Sequence, residues 1–145
     1  MPLTFSPLKD GDYIKQVLEI EQDSFVSPWN KEMFLSSIND EFSQLYVLLE
    51  GKNVIAYGGY KFFEESSDIL NICVKREFRR QGIGCRFLEY IIEKIKLKNI
   101  KKIMIEVRKD NNAAINLYKL YGFKIISQRK NYYKDCDALI MILEL

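Results

Sequence analysis

The chain has 145 residues, with 22 Lys and Arg against 20 Asp and Glu, no histidine, and 48% hydrophobic residues; at roughly 100–200 residues per domain it reads as one domain spanning 1–145 with one core. A net charge of +2 is too small to point to nucleic acid or an anionic membrane as the main partner. The absence of histidine excludes Ser-His-Asp and Cys-His nucleophiles, a histidine base and zinc sites with imidazole ligands, which leaves acid–base work to Glu, Asp, Tyr, Cys or Lys. In chain order, Leu3 to Leu8 reads as a strand, and Asp12 to Phe25 as a helix with Ile14, Val17, Leu18 and Phe25 on one side. Pro28-Trp29-Asn30 breaks that helix, and Asn30 serves as N-cap for a second one carrying Met33, Phe34 and Ile38. Gln44 to Leu49 and Val54 to Phe63 form a hairpin around Glu50-Gly51-Lys52-Asn53, and Ser67 to Val74 completes an antiparallel meander.

After a basic turn, Cys85 to Lys98 is a helix with an apolar stripe of Phe87, Leu88, Ile91, Ile92 and Ile95. Lys102 to Val107 is a strand, and Asn112 to Tyr121 is a short helix closed by Gly122 in the C′ position. Phe123 to Tyr132 and Ala138 to Leu143 are the last strands. This order makes an α+β (mixed α/β) fold around a single mixed, mostly antiparallel sheet flanked by helices. Cys73, Cys85 and Cys136 form no C-x-x-C pair, so neither a thiolate metal site nor a disulfide framework is expected. Met1 to Asp10 shows no charged-then-apolar leader, and no apolar run approaches the ~20 residues of a membrane span. The expectation is a cytoplasmic protein with no metal site.

Arg79-Arg80-Gln81-Gly82-Ile83-Gly84 lies between a strand and a helix. Its glycines let backbone approach an anion, the helix start points free N–H groups at it, and the arginines add donors. The chemical match is a diphosphate; the alternative is an exposed basic turn. Phe87 stands where a dinucleotide fold requires its third glycine, and no Gly-Lys-Ser/Thr triplet occurs, so both nucleotide loops drop out. Glu106 sits among Ile103, Met104, Ile105 and Val107, so it either faces the surface or is placed for chemistry. Tyr118 suits a core position, as do Leu117 and Leu120 beside it.

The loop, with Ile20-Glu21-Gln22, Pro28-Trp29-Asn30, Asn71-Ile72-Cys73-Val74, Glu106-Val107-Arg108, Asn112-Ala113-Ala114-Ile115-Asn116-Leu117-Tyr118, Asn131-Tyr132-Tyr133 and Asp137-Ala138, resembles the GCN5-related N-acetyltransferases. Within them it is similar to the RimI-type enzymes, which acetylate the N-terminal alanine of a small-subunit ribosomal protein, and to their archaeal relatives. The resemblance implies acetyl-CoA as co-substrate, with its pyrophosphate on Arg79, Arg80, Gln81, Gly82, Ile83 and Gly84. It implies a backbone oxyanion donor and a pantetheine-binding edge at Ile72, Cys73 and Val74, and a coenzyme contact at Asn111, which can equally be a helix cap. It makes Glu106 the general base acting through water, Tyr118 the donor to the coenzyme thiolate, and Trp29, Tyr132 and Tyr133 acceptor-binding residues. Strand alternation allows only one of the two tyrosines to face a groove. A buried Cys73 thiol is not expected to be a nucleophile. The segment Lys134-Asp135-Cys136 is shorter than in relatives, which sets the rim of the acceptor site apart. The implied activity is acetyl transfer to a protein N-terminus, with a ribosomal protein among the implied acceptors. Alternatives are transfer to lysine or small-molecule amines, and a non-catalytic acetyl-CoA-binding module.

Overall fold

The structure is a computed structural model that describes residues 2–9, 11–133 and 135–145. Met1 and Asp10 of the leader reading, and Lys134 of the short segment, lie outside the described residues. The elements are β1 (Leu3–Pro7), α1 (Ile14–Ser24), α2 (Lys31–Asn39), β2 (Ser43–Glu50), β3 (Asn53–Phe63), β4 (Ser66–Val74), α3 (Ile83–Lys96), β5 (Lys102–Arg108), α4 (Asn112–Leu120), β6 (Lys124–Tyr133) and β7 (Cys136–Glu144). The strands form one mixed sheet in the order β1-β2-β3-β4-β5-β7-β6, the expected fold class. By contacts the chain resolves into two compact units, Met1–Lys61 with Leu70–Lys94, and Phe62–Ile69 with Ile95–Leu145.

In the first unit β1, β2 and β3 run antiparallel, with Gly51 taking φ 60° in the β2–β3 turn. A Cβ on Gly59 would lie 2.4 Å from the Gln44 carbonyl oxygen, so the hairpin closes only around a glycine there. The core of this unit joins Val17 and Ile20 of α1, Phe34 of α2, and Val47 and Tyr57 of the sheet. Each such side chain contributes about 1.5–3 kcal/mol on full burial. Asn30 caps α2 as expected, accepting from the Met33 N–H at 2.9 Å, a bond whose loss costs about 1 kcal/mol. The buried side of α1 is Ile14, Val17, Ile20 and Glu21, whereas Phe25 is 39% exposed. Phe25 follows the helix as an extended C-cap residue, so the 3.6-residue period no longer sets its direction.

The stripe expected on α3 is buried along its whole length, although the helix starts at Ile83, two residues before the expected Cys85. In the second unit β4 and β5 pair in parallel, with Ser67 opposite Ile103, and β5 and β7 pair antiparallel, with Glu106 opposite Ile140. Gly122, at φ 95°, ends α4 in a Schellman turn: its N–H donates to Lys119, and the Phe123 N–H donates to Tyr118, both at 3.0 Å. That turn leaves Leu120 78% exposed, against the core position expected, while Ile115 and Tyr118 are buried and Leu117 is half-buried. Leu120 is the last residue of α4 and has left the buried i, i+3 face of Ile115 and Tyr118.

Candidate active site

In the first unit the chain leaves β4 through a short turn into the basic loop. Ile72 and Val74 are half-buried and Cys73 is buried. Burial pushes the Cys73 thiol up, against smaller opposing effects of hydrogen bonds to Ser24 and Tyr57. Such a group is a thiol, not a thiolate, at neutral pH. The Arg79 side chain turns back on the fold: Nε donates to the Val74 carbonyl at 2.9 Å and Nη2 to Ser24 Oγ at 3.1 Å. Arg80 takes φ 62° and its side chain has no ion-pair or hydrogen-bond partner among the described residues. Gln81 donates to the Glu77 carbonyl at 3.3 Å. Gly82 has φ 77°, and a Cβ there would meet no atom within 4 Å. Its carbonyl receives the Arg86 N–H at 3.1 Å, so the N–H groups of Ile83, Gly84 and Cys85 precede the first helical bond and have no carbonyl of α3 to bond. Open space, left-handed backbone and unused donors fit a diphosphate.

Behind Cys73 lies a buried polar pair that the sequence reasoning missed. Glu21, only 4% exposed, accepts from the Trp29 N–H at 2.9 Å and from the Tyr57 hydroxyl. Burial raises the Tyr57 phenol far above its ordinary value, and the neighbouring Cys73 and Glu21 raise it further. The bond to Glu21 fixes the corner between α1 and α2, and with it Trp29, whose ring packs edge-on against Phe34 at 5.1 Å. Trp29, Phe34, Tyr57, Leu70 and Asn71 line a cavity of about 50 Å³ with Glu21 in its wall. The available signal was a carboxylate on the apolar side of α1, one turn after Val17.

In the second unit, β5 alternates strictly. Ile103, Ile105 and Val107 are buried, while Met104, Glu106 and Arg108 share the other face. This decides the orientation of Glu106, which is 33% exposed, with Oε1 3.2 Å from Arg129 Nη1. The same carboxylate raises the nearby Tyr132 phenol above its ordinary value. Arg129 also lies over the Tyr132 ring, 5.5 Å from its centre. Arg108 forks onto Asp110 and Asp135, and its guanidinium lies 5.1 Å from the Tyr133 ring. Tyr118 is 8% exposed. Its phenol is pushed up to about 12, by burial first and then by Tyr133. Asn111 acts as the cap of α4, accepting from the Ala114 N–H at 3.1 Å.

Tyr132 and Tyr133 depart from simple alternation. The β6–β7 register passes from Arg129↔Ala138 to Tyr133↔Cys136, so β6 spends four steps where β7 spends two. The bulge puts the Tyr132 ring under Arg129, which pairs with Glu106, and the Tyr133 ring under Arg108 on the same face of β5. The two rings meet edge to face at 5.2 Å. Both tyrosines therefore face the Glu106 side. Among the described residues no group of three or more Cys, Asp or Glu is gathered as a metal site, and no helix is long and apolar enough to cross a membrane.

The acetyltransferase (GNAT) family model matches residues 14–123. A relative from Bacillus subtilis (strain 168) is 37% identical over 131 residues, covering 88% of this chain and 87% of its own. The crystal structure of the ribosomal-protein-S18-alanine N-acetyltransferase from Escherichia coli has a TM-score of 0.91 and 31% identity, covering 99% of this chain and 94% of that one. Ard1 from Thermoplasma volcanium has a TM-score of 0.90 and 26% identity, covering 100% and 99%. Similarity of this extent, in sequence and in fold together, assigns the chain: it belongs to the GNAT family and is an acetyl-CoA-dependent N-acetyltransferase.

Proposed function

We propose that the whole chain is a single N-acetyltransferase domain that acetylates the N-terminal α-amine of a protein, with a ribosomal protein of the bS18 kind as the acceptor. The observation that carries this reading is Glu106, alone among the residues of β5 as a carboxylate on the polar face, and paired with Arg129. An α-amine has a pKa of about 7.7–8.0 and needs little help to become neutral, whereas a lysine near 10.4 needs far more. One carboxylate acting through water suits the first task. The full-length likeness to an enzyme whose name specifies the S18 alanine supports the same acceptor class. A ribosomal acceptor makes the reaction cytoplasmic.

The roles follow from the chemistry each residue offers. Acetyl-CoA supplies the activated acetyl thioester. Arg80, Gly82, Ile83 and Gly84 hold the diphosphate through charge and backbone N–H groups. Arg79 and Gln81 brace the loop through their bonds to Val74, Ser24 and Glu77. Backbone groups of Ile72, Cys73 and Val74 bind the pantetheine arm as an added strand and donate to the carbonyl oxygen. Asn111 orders the start of α4 and so supports the coenzyme side. Glu106 accepts the amine proton, and Trp29, Tyr132 and Tyr133 hold the acceptor's first residues.

Tyr118 serves the leaving sulfur. Its phenol, at about 12, lies above a thiol near 8.5, so it donates a hydrogen bond in preference to surrendering its proton. Tyr118→Phe keeps the ring and removes that donor, and the single-turnover rate falls roughly tenfold while the melting temperature stays unchanged. Because the phenol remains protonated until pH approaches 12, the wild-type rate shows no descending limb from Tyr118 below that pH. An unaltered rate in the variant returns Tyr118 to a packing role.

The acceptor assignment is tested with two peptide sets. One has a free alanine N-terminus and no lysine; the other has a blocked N-terminus and one internal lysine. Acetylation of the first set and neglect of the second is the expected result. Equal or better use of the blocked lysine peptides overturns the N-terminal assignment, and turnover on neither set with retained acetyl-CoA binding favours a binding module.

A further inference from the structure

We propose that Asp137 is a positioning residue for the base: it pins the β6 bulge that carries Arg129 and Tyr132 onto Glu106. The inference rests on the reading of Glu106 as the base and adds a residue to it. Residues 130–132 stand opposite Asp137 alone, between the Arg129↔Ala138 and Tyr133↔Cys136 pairs. Regular alternation would separate Arg129 from Tyr132 by faces, since they are three residues apart. Yet Arg129 pairs with Glu106 and lies over the Tyr132 ring, because Asn131 takes φ 55° and redirects the chain. Asparagine is one of the few residue types besides glycine that enter this left-handed region, and specific contacts fix it there.

Asp137 supplies the holding contacts. Its Oδ1 accepts the Asn131 N–H at 2.8 Å, and Oδ2 accepts from Gln128 Nε2 at 2.6 Å. Its backbone carbonyl accepts the Lys109 N–H at 2.9 Å, one residue beyond the end of β5. One residue thus grips the strand that carries Glu106 and the bulge that carries Arg129 and Tyr132. The two bonds to the carboxylate also hold Asp137 below the usual carboxylate range, so it is ionised at neutral pH. Asparagine cannot replace it, because only one of its two terminal atoms accepts while the other presents hydrogens to a donor. Without the clamp Asn131 relaxes, and Tyr132 and Arg129 lose their common position over Glu106.

The test is a coupling cycle on the full chain, using acetyl-CoA and a lysine-free peptide beginning with alanine. Asp137→Asn in the otherwise native chain lowers kcat/KM by about ten- to a hundredfold, the scale of a misplaced catalytic group. Acetyl-CoA affinity by calorimetry stays the same. In a background of Arg129→Met with Tyr132→Phe, the same substitution costs no more than about twofold, because what it positions is already gone. Gln128→Met removes one arm only and guards against misfolding of the first variant. Its loss of about threefold also vanishes in that background. Losses from Asp137→Asn and Gln128→Met that persist undiminished in that background, or a native rate in Asp137→Asn, overturn the proposal. A native rate in Glu106→Gln would instead remove the base itself, while an impaired Glu106→Gln beside undiminished Asp137→Asn losses leaves the base standing and removes only the positioning role.

Discussion

Glu106→Gln should lower turnover at neutral pH by about 10²–10⁴-fold, the range of a general base, while acetyl-CoA binds as before. The amide keeps the size of the side chain and one acceptor oxygen, but it cannot take a proton. The lost ion pair with Arg129 is half-exposed on the arginine side, 54%, and a third exposed on the glutamate side, 33%. Its loss therefore costs at most about 1 kcal/mol of stability. The pH dependence separates a base from a binding group. In the native enzyme the carboxylate supplies neutral amine even when most of the substrate is ammonium. In the variant only amine already neutral can react, so its rate climbs as pH passes about 7.7–8.0 and the deficit shrinks above that range. A deficit that is constant across pH indicates lost positioning, and equal rates at neutral pH with chemistry limiting exclude the role.

Gly82→Asp should cut acetyl-CoA affinity by about a hundredfold without unfolding the chain. Two effects combine. An L side chain at φ 77° costs roughly 1–2 kcal/mol, and the new carboxylate faces the bound diphosphate with like charge. No atom lies within 4 Å of the Cβ position, so the fold has room for the side chain and the ligand-free melting temperature changes little. Gly82→Ala carries the backbone effect without the charge and should lose about tenfold or less. The difference between the two variants, measured by calorimetry at low and high salt, isolates the electrostatic part, because salt screens only that part. Undiminished affinity in a folded Gly82→Asp protein would place the diphosphate elsewhere.

Local periodicity and turn chemistry made much of this protein legible from its sequence. The stripe on α3, the Asn30 cap, the Gly122 ending of α4 and the seven strands depend on residues within a few positions of one another. The same holds for the loop at Gly82, where backbone conformation and helix start are both local. Glu106 stood out as the charge in an apolar strand, but both its alternatives fit the sequence equally. Strand pairing decided which face it takes, and contact with Arg129 what it meets there. The positions of Tyr132 and Tyr133 required a register shift, and register belongs to two strands at once, so alternation along β6 could not show it. The Glu21–Tyr57 bond joins residues 36 positions apart, and α1 read by itself showed only a carboxylate near its apolar side. Arg79 looked like a phosphate donor by composition, yet its guanidinium bonds the Val74 carbonyl and Ser24. The sequence by itself therefore determined the elements, their order and the chemical type of the site. The tertiary structure decided which side chains share a carboxylate, because hydrogen-bond partners distant in the chain are chosen by strand register and burial, and neither leaves a local signature.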